Sequence, residues 1–193
     1  MTRFRLMDLL RRAANLSAGQ RLILAGSQAF YAARPSAPDL VERSEEADLL
    51  LVGVERSLFL RLEEALGMES AYLRETGVFA HPVGLGTITL VRGWEERLVP
   101  FGRDEGLPNV WALEIHDLAA SKLMAGRDKD FEFLRALLDH GLCDFPTLLA
   151  RMEAFRASHF ANALPDRLAK LAQHLRDWKR DDLARAIHPP SEF

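Results

Sequence analysis

Residues 21–30, RLILAGSQAF, and residues 43–53, RSEEADLLLVG, decide the fold. RLILAG has the length and apolar density of a buried strand, and it runs directly into Gly26-Ser27, where a helix is predicted to begin. ADLLLVG reads as a second buried strand, so both belong in the interior of a sheet. The linking stretch, ARPSAPDLVERS (33–44), carries two prolines and mixed charge and is predicted to be an excursion between that helix and the second strand.

Working outward, Leu6, Leu9, Leu10, Ala13, Ala14 and Leu16 form the stripe of an amphipathic helix that should stop before Gly19. After Gly53, Leu58, Phe59, Leu62, Ala65 and Leu66 recur at helical spacing, with Gly67 as the stop. Three short extended pieces follow, VFAHPV, GTITLV and RLVPF, whose glycines and prolines suit antiparallel edges and hairpins; VWALEI adds a further strand. From His116 onward the period is helical throughout. HDLAASKLMAG and RDKDFEFLRALLDHG give two helices, Asp144 with Pro146 opens a third, and Leu164, Leu168, Leu171, Ala172, Leu175 and Trp178 mark a last one before the tail HPPSEF. The predicted class is α/β (α+β): a mixed sheet with flanking helices over 1–115, then a helical region packed on it over 116–193.

The chain has 193 residues, of which 48% are apolar and 27% charged, with a formal charge of -3. That size excludes a multidomain machine, and the near balance of charge excludes a general nucleic-acid coat protein. A single cysteine, Cys143, permits neither an internal disulfide nor a thiolate zinc site, and points to a reducing cytoplasm. Asp8, Arg11 and Arg12 interrupt the first apolar segment, so it is predicted to remain as a helix and not to act as a secretion signal. No run approaches the roughly 20 apolar residues that cross a bilayer, which argues against a membrane role.

Two constellations carry chemistry. Gly26 lets another group approach the backbone closely, Ser27 adds a hydroxyl, and a following helix would offer free N–H groups to phosphate; Gly-Ser is also a common strand-to-helix turn. Glu46 and Asp48 stand two apart in a strand, so both carboxylates point to one face and can converge on a hard cation such as Mg2+. A solvated acidic strand end gives the same pattern.

Taken together, Gly26-Ser27, a short helix and RSEEADLLL resemble the signature of the nucleotidyltransferase-fold superfamily, in which Gly-Ser precedes a strand bearing two acids separated by one apolar residue. Arg43-Ser44 ahead of Glu46-Ala47-Asp48-Leu49-Leu50 is similar to the abortive-infection toxin branch. DLAASKLMAGRDKDFEF resembles the lysine-containing helix and Arg-x-x-Asp element of that branch, here Lys122, Arg127 and Asp130. A smaller bacterial branch of unassigned function, sharing GSQA, a GWEERL-like element and HDLAASKL, is the closer likeness. The resemblance implies that Glu46 and Asp48 hold Mg2+, that Gly26 and Ser27 cradle the phosphates of a nucleoside triphosphate, that Lys122 offsets their charge, and that Arg127 and Asp130 pair or anchor the nucleotide. A nucleotidyl group would pass to a hydroxyl on RNA or protein, and a cognate antitoxin or toxin partner is implied.

The sequence also departs from the pattern. Aspartate is usual where Glu46 stands, ARPSAPDLVE looks inserted, and GTITLV lacks the third carboxylate that active members carry on a later strand, with only Glu95 and Glu114 nearby. A catalytically inactive binding module in a toxin-antitoxin or defence pair is therefore the alternative, and a homodimer through the C-terminal apolar stripe is a third reading. His81, His116 and His140 are expected to cap or pack, Asp117 to start a helix, Cys143 to be an inert half-buried thiol, and Trp94 to close a hairpin. Lys122 can also simply snorkel from a packed face, and the basic residues Arg167, Lys170, Arg176, Lys179 and Arg180 alternate with acids as on a solvated surface.

Overall fold

The computed structural model describes residues 1–187, so the tail HPPSEF lies outside the described residues. Helix α1 (Arg3–Leu16) buries Leu6, Leu9, Leu10 and Ala13 and leads into β1 (Leu22–Leu24), all three of whose residues are buried. The segment after Gly26 is a six-residue 3-10 run, Ser27–Ala32, where an α-helix was expected. It packs Phe30 inward, and its tighter winding leaves too few aligned peptides for a substantial macrodipole. The excursion contains one turn of helix, α2 (Asp39–Glu42), pinned by the Gln28 side-chain amide donating to the Val41 carbonyl at 2.9 Å.

Strand β2 (Glu46–Leu50) alternates half-exposed Glu46 and Asp48 with buried Ala47 and Leu49, the period-2 pattern of one covered face. The crossover from β2 carries α3 (Arg56–Leu66) and α4 (Ala71–Thr76), opened by the Ser70 hydroxyl and closed by left-handed Gly77. Such a length of chain is needed because β3 (Phe79–Val83) runs parallel to β2.

This parallel pairing corrects the hairpin expectation for VFAHPV. GTITLV is not a strand: it contributes to a 3-10 turn at Leu85–Thr87 and then irregular backbone on which Ile88, Thr89 and Leu90 are half-buried and Val91 is buried. Trp94 closes no hairpin; it is buried at the start of a 3-10 turn, Trp94–Arg97. Strands β4 (Val99–Pro100) and β5 (Val110–Ala112) complete the sheet, whose order is β3-β2-β1-β5-β4. β1 is antiparallel to β2 and parallel to β5, and β4 is antiparallel to β5.

The helical half follows as α5 (Ile115–Ala125), α6 (Asp128–Asp139), α7 (Phe145–Glu153), α8 (Leu164–Asp177) and a short α9 (Asp181–Ala186). The mixed sheet with flanking helices is the α/β arrangement expected. One continuous apolar core joins sheet and helices, with Phe30 and Phe133 meeting edge to face at 6.4 Å. The α8 stripe of Leu164, Leu168, Leu171, Ala172 and Leu175 is buried inside this chain. Among the described residues, no helix is long and apolar enough to cross a membrane.

Candidate functional site

Because β1 and β2 are antiparallel, with Leu24 opposite Leu49, the end of β1 meets the beginning of β2. The Ala25 N–H donates to the Asp48 carbonyl at 3.0 Å, which brings Gly26 against the Asp48 side chain. A Cβ at position 26 would stand 1.9 Å from Asp48 Oδ2. Gly26 has φ -89°, a value open to any residue, so close approach and not backbone freedom is what requires glycine here.

Glu46 and Asp48 project from the same face of β2, and the parallel register places His81 of β3 beside Asp48. His81 Nδ1 lies 2.7 Å from Glu46 Oε1 and 3.2 Å from Asp48 Oδ1. Burial, and then the neighbouring Asp48 charge, raise the Glu46 carboxyl above its ordinary value, with His81 opposing in part. One donor atom from each of the three residues falls within 4.8 Å of the other two, a spacing that a single cation can span.

The facing wall comes from the α5–α6 corner. Gly126, left-handed at φ 68°, ends α5, and the Arg167 guanidinium from α8 donates to the Met124 carbonyl at 2.9 Å, tying the corner down. Arg167 is thus a tether, not part of a solvated face. Asp130 caps the start of α6, accepting from the Arg127 guanidinium at 2.7 and 3.2 Å and from the Arg127 N–H at 3.2 Å. Lys122 Nζ stands 3.4 Å from Asp130 Oδ1 and 5.6 Å from the Phe133 ring centroid, held there and not snorkelling. Burial favours the neutral Asp130 acid, yet the Arg127 hydrogen bond and the Lys122 charge prevail and its pKa falls. The Arg127 guanidinium is correspondingly raised, chiefly by Asp130 and further by Asp48 and Glu46 across the gap.

Between the walls lies a cleft of about 440 Å³, and Gly26, Ser27, Glu46, Asp48, Lys122, Arg127 and Asp130 all line it. The structure therefore brings every candidate site residue to one cavity, with Arg43 and Lys129 adding positive charge at its rim. Asp130, only 1% exposed, orients the two cations and has little surface of its own to offer a ligand.

Glu95 and Glu114 do not line the cleft. Glu114 caps α5, accepting from the His116 and Asp117 N–H groups, the role expected of Asp117. Asp117 instead sits 1% exposed between Arg97, which donates at 2.8 and 3.0 Å, and Arg151, whose Nε is 3.1 Å away but off the hydrogen-bond axis. His116 Nε2 accepts from the Asp144 N–H at 2.9 Å and Nδ1 faces Glu114, so it packs α7 onto α5 as expected. His140 caps the end of α6. Cys143 is buried, not half-buried, and burial pushes its thiol up to about 12. His81 was expected to pack or cap near a turn; it stands mid-strand beside Asp48, a neighbour visible only once the β2/β3 register is known.

Over residues 4–182 the chain matches the family described as "Nucleotidyltransferase of unknown function (DUF6036)". No curated protein and no solved structure matches it.

Proposed function

This chain belongs to that nucleotidyltransferase family, and on that premise we propose that its cleft binds a divalent cation with a nucleoside triphosphate and transfers a nucleotidyl group to a hydroxyl of RNA or protein. The supporting observation is the convergence of Gly26-Ser27, Glu46/Asp48 and Lys122/Arg127/Asp130, from separate parts of the chain, on one cavity of about 440 Å³. That volume lies in the range of small-molecule sites.

The residues fit a metal on two counts: paired carboxylates are hard oxygen donors, and the space where a Cβ of residue 26 would stand is given to the Asp48 carboxylate. Glu46 and Asp48 would hold Mg2+, which when bound supplies charge neutralisation for phosphate oxygens. Ser27 offers its hydroxyl to a phosphate, and Lys122 and Arg127 face the same space as fixed positive charges. Asp130 keeps both cations in place before substrate arrives, so little reorganisation is needed. The acceptor hydroxyl forms a new bond to the α-phosphorus as the bond to pyrophosphate breaks, its proton leaving to solvent; the protein's share is positioning and electrostatics. Residues 1–115 are assigned the nucleotide-handling core, and residues 116–193 the helical region that lends it the basic wall. The elements Arg43-Ser44 and Arg127-x-x-Asp130 favour the abortive-infection branch, with a cytoplasmic location and a cognate toxin or antitoxin partner.

Incubation with labelled triphosphates, a divalent ion and cellular RNA or protein tests this reading, with Asp48→Asn as the comparison. Label transfer by the native chain and its loss in Asp48→Asn are expected; equal transfer by both would remove the assigned site. A second reading is favoured by one observation: among the described residues, His81 and no third carboxylate completes the cluster. Under it the chain is a catalytically silent nucleotide-binding module, and triphosphate raises its melting temperature without turnover.

A further inference from the structure

We propose that His81 is the third protein ligand of the ion held by Glu46 and Asp48, and that this mixed ligand set selects Mn2+ over Mg2+. The inference rests on the reading above that the cleft holds a divalent cation, and it changes which cation that is. Metal–ligand bonds of about 2.1 Å place neighbouring donors of an octahedral ion about 3.0 Å apart. The His81 Nδ1 separations of 2.7 Å from Glu46 and 3.2 Å from Asp48 bracket that edge, so His81 fits a corner next to each carboxylate, and all three donors fall within 4.8 Å of one another.

The placement follows from the backbone. Parallel pairing of β2 with β3 sets His81 in register with Asp48, so its ring emerges on the face that carries both carboxylates. Without an ion, Nδ1 has at most one proton to share between two carboxylates, whereas a cation satisfies all three groups at once. The ring is 45% exposed, which leaves solvent free to accept from Nε2–H in the tautomer that presents a bare Nδ1. The three residues line the cleft together with Ser27, so phosphate oxygens and water there would be the further donors available to an ion.

Chemistry then separates the ions. Mg2+ takes oxygen ligands almost exclusively and is reluctant to lose water, while first-row transition ions accept imidazole readily. Two carboxylates and phosphate keep the set predominantly hard, which favours Mn2+ as the ion that tolerates both donor types. A third carboxylate in place of His81 would remove that distinction.

The test uses the full chain without nucleotide. Mn2+ binding is followed by loss of the free-ion electron paramagnetic resonance signal, Mg2+ affinity is measured by competition, and pulsed spectra of bound Mn2+ are inspected for ¹⁴N coupling. The native chain is expected to show ¹⁴N coupling and to prefer Mn2+. In His81→Asp the coupling disappears and the Mn2+/Mg2+ preference falls about tenfold, a shift that even contacts outside the ligand shell produce in metal sites. The half-exposed position of His81 favours folding of the variant, and the native spectrum needs no variant at all. Mn2+ bound in an Asp48-dependent manner but without ¹⁴N coupling, or coupling and preference unchanged in His81→Asp, overturns the His81 assignment alone. No Mn2+ or Mg2+ binding by the native chain overturns it together with the reading on which it rests.

Discussion

Replacing Gly26 with alanine tests the close approach on which the site depends. The new Cβ would lie 1.9 Å from Asp48 Oδ2, 2.8 Å from its Cγ and 3.0 Å from its Cβ, so the Asp48 carboxylate must swing away and the backbone must give by a few tenths of an ångström. Backbone strain adds nothing, since φ at Gly26 is -89°. Overpacking of this kind costs about 1–3 kcal/mol, and the stiffer unfolded chain returns about 0.4–1 kcal/mol. The net loss is about 0–2.6 kcal/mol, which lowers Tm by up to about 10 °C in a chain of this size. The larger effect falls on the ion: displacing Asp48 removes one of the two carboxylates, so the rise in Tm on adding a divalent cation should vanish. Differential scanning calorimetry with and without the ion measures both. Gly86→Ala is the control, because nothing lies within 4 Å of a Cβ there; its Tm should rise by about 1–4 °C from the stiffer unfolded chain and its ion response should be intact. A Gly26→Ala protein with an unchanged ion-dependent rise would refute the reasoning.

Asp130→Asn should cost about 2–3 kcal/mol, below the 3–5 kcal/mol of a fully buried pair, because Arg127 is more than half exposed and can turn to solvent. Since the native Asp130 pKa is depressed, its stabilisation is present above about pH 4, the ordinary carboxylate value, and is lost as pH falls through the lower native value; urea melts across that range should show a flatter acid limb in Asp130→Asn. Asp117→Ala leaves Arg97 and Arg151 without their buried acid and should cost about 3–5 kcal/mol, read as a fall in the urea midpoint. Cys143, buried and with its thiol raised to about 12, should react with an aromatic disulfide reagent only as fast as the chain unfolds.

The two strands that build the site are legible because each is an apolar run bounded by turn signals. The convergence of Gly26 on Asp48 then requires only that they pair antiparallel. Local information stops there. His81 enters through the β2/β3 register, a contact across 33 residues that no short-range pattern encodes. GTITLV alternates like a strand, yet it pairs with no strand of the sheet and instead forms cleft wall at Thr87, Ile88 and Thr89. Helix α4 is short and carries little apolar period; the signals that mark it are the Ser70 cap and Gly77 stop. Glu114 was missed as the α5 cap because glutamate is an uncommon capping residue, and Asp117 three residues later drew the assignment.

Calorimetric titration of a non-hydrolysable nucleoside triphosphate, in the presence of Mn2+ or Mg2+, into the native chain and into Asp48→Asn tests the central claim most directly. The account predicts one bound nucleotide per chain, dependent on the divalent ion and weakened at least about tenfold in Asp48→Asn, a loss of about 1.4 kcal/mol. Equal affinity in both proteins, or no binding to the native chain, would contradict it.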